Sequence, residues 1–115
     1  MQLYGIPNCN TVKKARDWLT AHGIVYEFHD FKKQGINNPL IKSWLQQMPW
    51  EKLVNRAGMT WRNLTEAEKA AVNNADTAQA LMLIKSSVIK RPVLVKDGKI
   101  ISLGFSEATY KELLL

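Results

Sequence analysis

The start of the chain contains two short strand-like segments on either side of a helical one, and this pattern constrains the fold most. Residues 2–5 form a short apolar segment, and residues 10–21 place apolar side chains at helical spacing. Gly23 marks the end of that helix. Residues 24–29 alternate and are rich in β-branched and aromatic side chains, which predicts a second strand. Because the connection is short, we expect the two strands to be parallel, with a right-handed crossover.

The middle of the chain is mostly helical in pattern. We expect a loop at residues 32–35, followed by a helix that Asn38 caps and that has Pro39 at its first position. A helical turn at residues 50–54 and a polar connection at residues 55–62 come next. Two further helices are predicted, one over residues 66–72, introduced by the Thr65–Glu68 capping box, and one over residues 77–85. In the last helix we expect Ala80, Leu81 and Ile84 to face inward. The four tryptophans fall within apolar stripes, so they are interpreted as packing residues rather than as a base-stacking platform.

The last third of the chain predicts a β-hairpin and a final helix. Residues 89–95 run into a strand, an Asp-Gly pair supplies the turn, and residues 99–102 form the return strand. Ser106 then caps a helix. The simplest architecture is a single α/β domain over residues 1–115, with one four-stranded mixed sheet flanked by helices. Residues 32–74 form a helical insertion in this prediction.

Composition limits the classes of function. At 115 residues the chain can bury a core without disulfide bonds, and its one cysteine excludes a disulfide within the chain. We therefore expect a reducing compartment, the cytoplasm. The first residues lack the basic run and apolar core of a signal peptide, and no apolar stretch approaches the roughly 20 residues of a spanning helix, so we expect no signal peptide and no membrane partner. The net charge of +6 allows anionic partners, but the basic residues are dispersed, which favours a solvated surface over a nucleic-acid interface. One cysteine and two distant histidines give no metal-ligand spacing.

Cys9 lies between the first predicted strand and the first predicted helix, which makes it the candidate nucleophile. Free backbone N–H groups and the positive end of the helix dipole are directed at such a position, and Lys13, Lys14 and Arg16 follow within the next turns. These surroundings favour the thiolate, the nucleophilic form of cysteine. The alternative is a buried structural cysteine, the usual state of a free thiol. The helix start and the local basic charge favour the reactive interpretation.

Four segments carry a resemblance that covers essentially the whole chain: residues 7–11 (PNCNT), 53–62 (LVNRAGMTWR), 89–93 (IKRPV) and 104–107 (GFSE). Together they resemble the arsenate reductase-like ArsC/Spx family of the thioredoxin fold, nearest its YffB-like branch. The combination of Cys9 with Arg91-Pro92 is the most specific part of the resemblance. It implies a thioredoxin-like fold in which Cys9 is the catalytic residue and the peptide bond before Pro92 is cis.

The resemblance also implies a set of substrate-binding or thiol-binding residues: Asn10, Thr11, Asn55, Arg56, Arg91 and Pro92. Arg91 would face the pocket of Cys9, where a guanidinium suits a carboxylate or a tetrahedral oxyanion. Its alternative is an exposed charge before an edge strand. The Thr11 hydroxyl could donate a hydrogen bond to the thiolate, or it could equally cap the helix.

Two departures from the family pattern shape the functional hypothesis. Arsenate reductases of this kind hold the oxyanion with three arginines, of which Arg91 is matched, whereas Asn55 stands at another of these positions. Spx-type regulators use a Cys-x-x-Cys switch, and Val12 replaces its second cysteine here. We therefore expect a thiol-dependent reductase with no bound cofactor, which acts on an oxidised substrate and uses glutathione as the external resolving thiol. The alternatives are a non-catalytic Spx-like protein that binds a partner such as RNA polymerase, and residual arsenate reductase activity.

Overall fold

One mixed four-stranded sheet organises the fold. In the computed structural model, which describes residues 1–115, the strands are β1 (Gln2–Gly5), β2 (Glu27–Asp30), β3 (Val93–Lys96) and β4 (Lys99–Leu103). Their spatial order is β2-β1-β3-β4. The pairing of β1 with β2 is parallel, and the pairings of β1 with β3 and of β3 with β4 are antiparallel. The predicted mixed sheet, its parallel first pair and its terminal hairpin are confirmed.

Eight helices flank or follow these strands. They are α1 (Asn10–Ala21), α2 (Phe31–Gln34), α3 (Asn38–Leu45), α4 (Trp50–Leu53), α5 (Met59–Arg62), α6 (Glu66–Ala71), α7 (Ala75–Ile84) and α8 (Glu107–Leu114), with a 3₁₀ turn at Ser86–Val88 before β3. The Thr65–Glu68 capping box and the Ser106 cap both form as predicted. Gly23 follows α1 with a φ of +67°, a conformation that glycine adopts without strain.

The chain divides into two compact units. The first contains residues 1–35 and 91–115, and the second contains residues 36–90. The first unit has a core of fully or nearly fully buried side chains from β1, β3, α1 and α8: Leu3, Ala15, Trp18, Leu19, Leu94 and Tyr110. The second unit includes the antiparallel bridge between Val54 and Ile89. The prediction of a single domain with an insertion at residues 32–74 stays a prediction.

The predicted second strand begins too early. It was expected at residues 24–29, whereas β2 is Glu27–Asp30. The Ile24 N–H is used at the end of α1, where it donates to the Leu19 carbonyl at 3.0 Å. The ladder with β1 starts only where Gln2 meets Glu27, so the residues before Glu27 have no strand to pair with.

Two segments expected to lack helix contain single helical turns. Residues 32–35 were predicted as a loop, but Phe31–Gln34 is helical because the Asp30 carboxylate accepts hydrogen bonds from the Lys32 and Lys33 N–H groups. The polar connection at residues 55–62 ends in Met59–Arg62, which is also helical. Helices of a single turn are too short for apolar periodicity to predict them.

The start of α3 and the buried face of α7 differ from the predictions. Asn37, not Asn38, caps α3, since its side chain accepts from the Leu40 N–H at 3.0 Å. In α7 the buried residues are Ala78 and Met82, whereas Ile84 is 80% exposed. The prediction that Ala80, Leu81 and Ile84 face inward is wrong for Ala80 and Ile84, which are exposed, whereas Leu81 is half-buried. Apolar residues occur on every side of this helix, so their spacing alone did not define the buried face.

The tryptophans divide between buried and half-buried positions. Trp18 and Trp44 are buried, as the packing interpretation predicted. Trp50 and Trp61 are only half-buried.

No helix in the chain combines the length and apolar character needed to cross a lipid bilayer.

Candidate active site

Cys9 is the N-cap residue of α1, a short distance beyond the end of β1. It is extended, with φ −130° and ψ 124°, and its carbonyl accepts the first helical hydrogen bond from the Lys13 N–H at 2.9 Å. The thiol is free and partly exposed. The first turn of α1 contains no acidic side chain that would oppose a negative charge at this position.

Close packing of β1 against α1 fixes this junction. Gly5, the last residue of β1, is buried against the fully buried side chain of Val12. A Cβ atom built on Gly5 would lie 2.9 Å from Cγ2 and 3.4 Å from Cγ1 of Val12, which is too close for ordinary contact. The glycine therefore lets the strand end approach the first turn of the helix that begins after Cys9.

The surroundings of Cys9 favour its thiolate. Burial raises the pKa of the Cys9 thiol, but the Val12 N–H, the Arg91 side chain and the Thr11 N–H oppose it, and together they lower the pKa below its ordinary value. The side chain makes no conventional capping hydrogen bond. The amide contacts are therefore weak with the neutral thiol and gain strength when the sulfur is charged. A partly exposed thiol with a lowered pKa is a competent nucleophile.

The second chain segment of the first unit, residues 91–115, contributes Arg91 and Pro92 to the site. The Arg91–Pro92 peptide bond is cis, as the resemblance implied, and β3 begins at the next residue. The Arg91 side chain is half-buried and hydrogen-bonded to the Cys9 sulfur, where it also adds a positive charge. The carbonyl of Pro92 accepts from the Gly104 N–H at 2.9 Å, which joins this segment to the residue after β4.

Asn10 and Thr11 lie in the first turn of α1, and both are exposed. Because Cys9 is the N-cap, Thr11 lies inside the helix, and the alternative in which its hydroxyl caps the helix does not occur. The contact of Thr11 with the site comes from its backbone N–H. Substrate binding by either side chain stays a prediction.

Asn55 and Arg56 belong to the second unit, in the turn between α4 and α5. The Asn55 N–H donates to the Val88 carbonyl at 2.8 Å, and the Arg56 guanidinium lies over the Trp50 ring at 5.5 Å from its centre. Both residues thus take part in contacts of their own unit. Their predicted role in binding substrate stays a prediction.

Val12 and Gly5 are site residues that the sequence analysis did not identify as such. Among the groups that favour the thiolate, the Val12 N–H makes the largest contribution. The signal was present, since the residue three positions after an N-cap presents a free N–H to the cap side chain. The importance of Gly5 depends on a side-chain contact that spacing does not reveal.

Comparison with known proteins places this geometry in a family. The sequence matches the ArsC family over residues 4–113. This chain belongs to the ArsC family. The fold is accordingly the thioredoxin-like fold that the resemblance implied, and the recognition of the family is confirmed.

Solved structures agree with this assignment. A YffB protein superposes with a TM-score of 0.91 at 43% identity, covering 99% of this chain and 98% of that protein. An arsenate reductase (ArsC) related protein from Brucella melitensis gives a TM-score of 0.80 at 49% identity, covering 96% and 91% of the two chains. Among curated relatives, the global transcriptional regulator Spx of Streptococcus agalactiae is 27% identical, covering 91% of this chain and 76% of the regulator.

Proposed function

We propose that this protein is a thiol-dependent oxidoreductase in which the Cys9 thiolate attacks the sulfur of a disulfide and glutathione completes the reaction. The observation that carries the proposal is the contact between Cys9 and Arg91 at the N-terminus of α1. The Arg91 guanidinium and the first-turn N–H groups of the helix both favour the Cys9 thiolate. Membership of the ArsC family supports thiol chemistry of this kind. The proposal places the protein in the cytoplasm, where thiols are kept reduced.

The reaction consists of two thiol–disulfide exchanges. In the first, the Cys9 thiolate attacks one sulfur of the substrate disulfide, a new S–S bond forms to Cys9, and the other substrate sulfur leaves as a thiolate. In the second, a glutathione thiolate attacks the mixed disulfide that Cys9 holds and releases the Cys9 thiolate. When the substrate is a glutathione mixed disulfide, the products are a free substrate thiol and glutathione disulfide.

An external thiol is needed because the chain provides no second one. Cys9 is the only cysteine, and the position three residues later is Val12, whose side chain is fully buried. Glutathione is the co-substrate that we propose, and no bound cofactor enters the reaction. The oxidised substrate is left open, and neither a membrane nor nucleic acid is part of the proposal.

Arg91 would have two roles in this reaction. Its positive charge stabilises the attacking thiolate before reaction and the same sulfur when it is released again. Once the sulfur is part of a mixed disulfide, the guanidinium can donate to a carboxylate of the bound substrate.

A glutathione-coupled assay tests the proposal directly. The wild-type protein is expected to accelerate the reduction of bis(2-hydroxyethyl) disulfide by glutathione, and Cys9→Ser is expected to reduce the rate to that of the buffer. An unchanged melting temperature of Cys9→Ser would show that the variant is folded. Full activity of the folded Cys9→Ser variant would refute the proposal.

The second candidate function is an interaction protein without catalysis, which the similarity to Spx favours. Under this alternative the protein would bind a partner such as RNA polymerase, and Cys9 would be dispensable. Binding of purified RNA polymerase with equal affinity by the wild-type protein and Cys9→Ser, together with no reductase activity, would support it. Residual arsenate reduction is the weaker enzymatic alternative, since Asn55 supplies no positive charge at its position in the arginine set.

A further inference from the structure

A small cavity on the exposed side of α1 has the character of an anion site. Its volume is about 280 Å³, and it is lined by Lys13, Arg16, Asp17, Thr20 and Tyr26. It therefore contains two cations, one carboxylate and two hydroxyl groups. This volume is below that of a typical site for a whole ligand, so it fits one group of a larger ligand.

Arg16 is held in place before any ligand binds. Its Nε donates to the Tyr26 hydroxyl at 3.1 Å, and its guanidinium lies over the Phe28 ring at 4.1 Å from the ring centre. These contacts use Nε and one face of the group, and its terminal N–H groups make no hydrogen bond to the protein. A guanidinium that is fixed in this way loses little side-chain freedom when it pairs with a carboxylate.

Three residues of the cavity share one side of α1, and Cys9 stands at the N-terminus of this helix. At about 100° per residue, Lys13 and Thr20 lie within about 60° of Arg16 around the helix axis. The rise of about 1.5 Å per residue separates Arg16 from Cys9 by about 10 Å along the axis. Lys13, whose N–H donates to the Cys9 carbonyl, lies between them in the chain. A substrate joined to Cys9 through a disulfide would span this distance to place a carboxylate in the cavity.

We propose that the cavity of Lys13, Arg16, Thr20 and Tyr26 is a subsite for a carboxylate of the thiol or disulfide that reacts with Cys9. This inference rests on the proposed function and specifies its substrate class as anionic. Arg16 supplies the fixed donor, Lys13 adds a second positive charge, and Asp17 opposes them. Selectivity for anionic over neutral disulfides is the property that this arrangement gives.

Two small disulfides separate charge recognition from thiol reactivity. The probes are 5,5′-dithiobis(2-nitrobenzoate), which carries a carboxylate on each ring, and 2,2′-dithiodipyridine, which is neutral. Each reaction forms one S–S bond between Cys9 and half of the probe, breaks the bond within the probe, and releases the other half as a thiol or thiolate. The second-order rate constants are compared at an ionic strength near 0.5 M, where the Debye length lies between 3 and 8 Å and long-range attraction is screened.

Arg16→Gln is expected to slow the reaction with the anionic probe about tenfold, the loss of one charge-assisted pair. Its effect on the neutral probe should be less than twofold. Lys14→Gln is the matched control, because it removes the same charge from α1, but Lys14 lines a different cavity and is not among the groups that lower the pKa of Cys9. It is expected to change either rate by less than twofold.

Asp17→Asn is a second control, which should accelerate the reaction with the anionic probe about threefold. A variant that folds poorly would not react faster with one probe alone, so this gain cannot result from a loss of folding. Equal slowing by Arg16→Gln and Lys14→Gln would overturn the inference. So would equal slowing of both probes by Arg16→Gln, or no gain from Asp17→Asn.

An equilibrium measurement keeps this inference separate from the proposed function. S-methylglutathione carries two carboxylates and no reactive thiol, and it can be titrated into the Cys9→Ser protein while amide NMR shifts are followed. Shifts at Arg16 and Thr20 that disappear in the Cys9→Ser/Arg16→Gln protein would support the subsite even if Cys9 proved unreactive. No shift at these residues would overturn the subsite while leaving the proposed reactivity of Cys9 intact.

Discussion

The Arg91 side chain is hydrogen-bonded to the sulfur of Cys9, although the two residues lie near opposite ends of the chain. Cys9 caps α1 just beyond β1, and Arg91 precedes β3, the strand that pairs with β1 on its other side. The sheet thus brings a thiol and a guanidinium into contact. This pair is the centre of the proposed chemistry.

Replacing Arg91 with methionine should make the thiol less acidic. The change removes both a hydrogen bond to the thiolate and a positive charge, so the pKa of Cys9 should rise. Alkylation by iodoacetamide at pH 6 should slow about tenfold, the value of one charge-assisted hydrogen bond. Arg91→Lys keeps the charge and should slow it less. Arg62→Met, at an exposed position of α5, is the matched control, and an equal effect there would refute the role of Arg91.

The contact between Gly5 and Val12 should set both stability and thiol reactivity. Gly5→Ala forces a Cβ atom against Val12, so it should lower the free energy of unfolding by about 1–3 kcal/mol and displace the first-turn amides from Cys9. Slower alkylation at pH 6 should accompany this loss. Adding Val12→Ala removes the clashing methyl groups and should restore part of both properties. Strictly additive effects in denaturant unfolding and alkylation would show that the contact does not couple the two sites.

Tyr110→Phe should leave the protein as stable or make it slightly more stable. The Tyr110 hydroxyl is buried in the core of the first unit without a hydrogen-bond partner, and burial raises the pKa of Tyr110. An unsatisfied buried hydroxyl costs about 1–3 kcal/mol, part of which its removal should return. Denaturant unfolding is therefore expected to give a free energy of unfolding between unchanged and about 1 kcal/mol higher. A loss above about 1 kcal/mol would indicate a partner for this hydroxyl.

Truncation of two residues of α7 should change the free energy of unfolding by very different amounts. Met82 is fully buried, and Met82→Ala should lower the free energy of unfolding by about 2–5 kcal/mol. Ile84 is 80% exposed, and Ile84→Ala should change it by less than about 0.5 kcal/mol. The comparison tests which side of the helix is buried. A larger loss for Ile84→Ala would support the face predicted from the sequence instead.

The sequence predicted those helices whose apolar spacing or cap residues are clear. The bounds of α1 and the capping of α6 and α8 agree with the sequence, because apolar spacing and cap residues determine them. The single-turn helix after Asp30 was missed, since it depends on one capping side chain. The face of α7 was wrong because an element that is apolar on every side takes its orientation from its neighbours.

The candidate site was predictable in part. The position of Cys9 at the start of α1 follows from local sequence, and with it the favoured thiolate. Its pairing with Arg91 came only from the family resemblance, because no local rule joins residues so far apart in the chain. The packing of Gly5 on Val12 and the orientation of Arg16 by Tyr26 are tertiary contacts, which became visible only in the structure.

We expect Cys9 to be present as a thiolate at lower pH than an ordinary cysteine. The measurement that tests it most directly is the rate of Cys9 alkylation by iodoacetamide between pH 4 and pH 10, with unfolded protein as the reference. Because the folded protein lowers the pKa of Cys9, the midpoint should fall below the value of about 8.5 expected for a free thiol, and unfolding should raise it. A midpoint at or above that of the unfolded chain would contradict the claim.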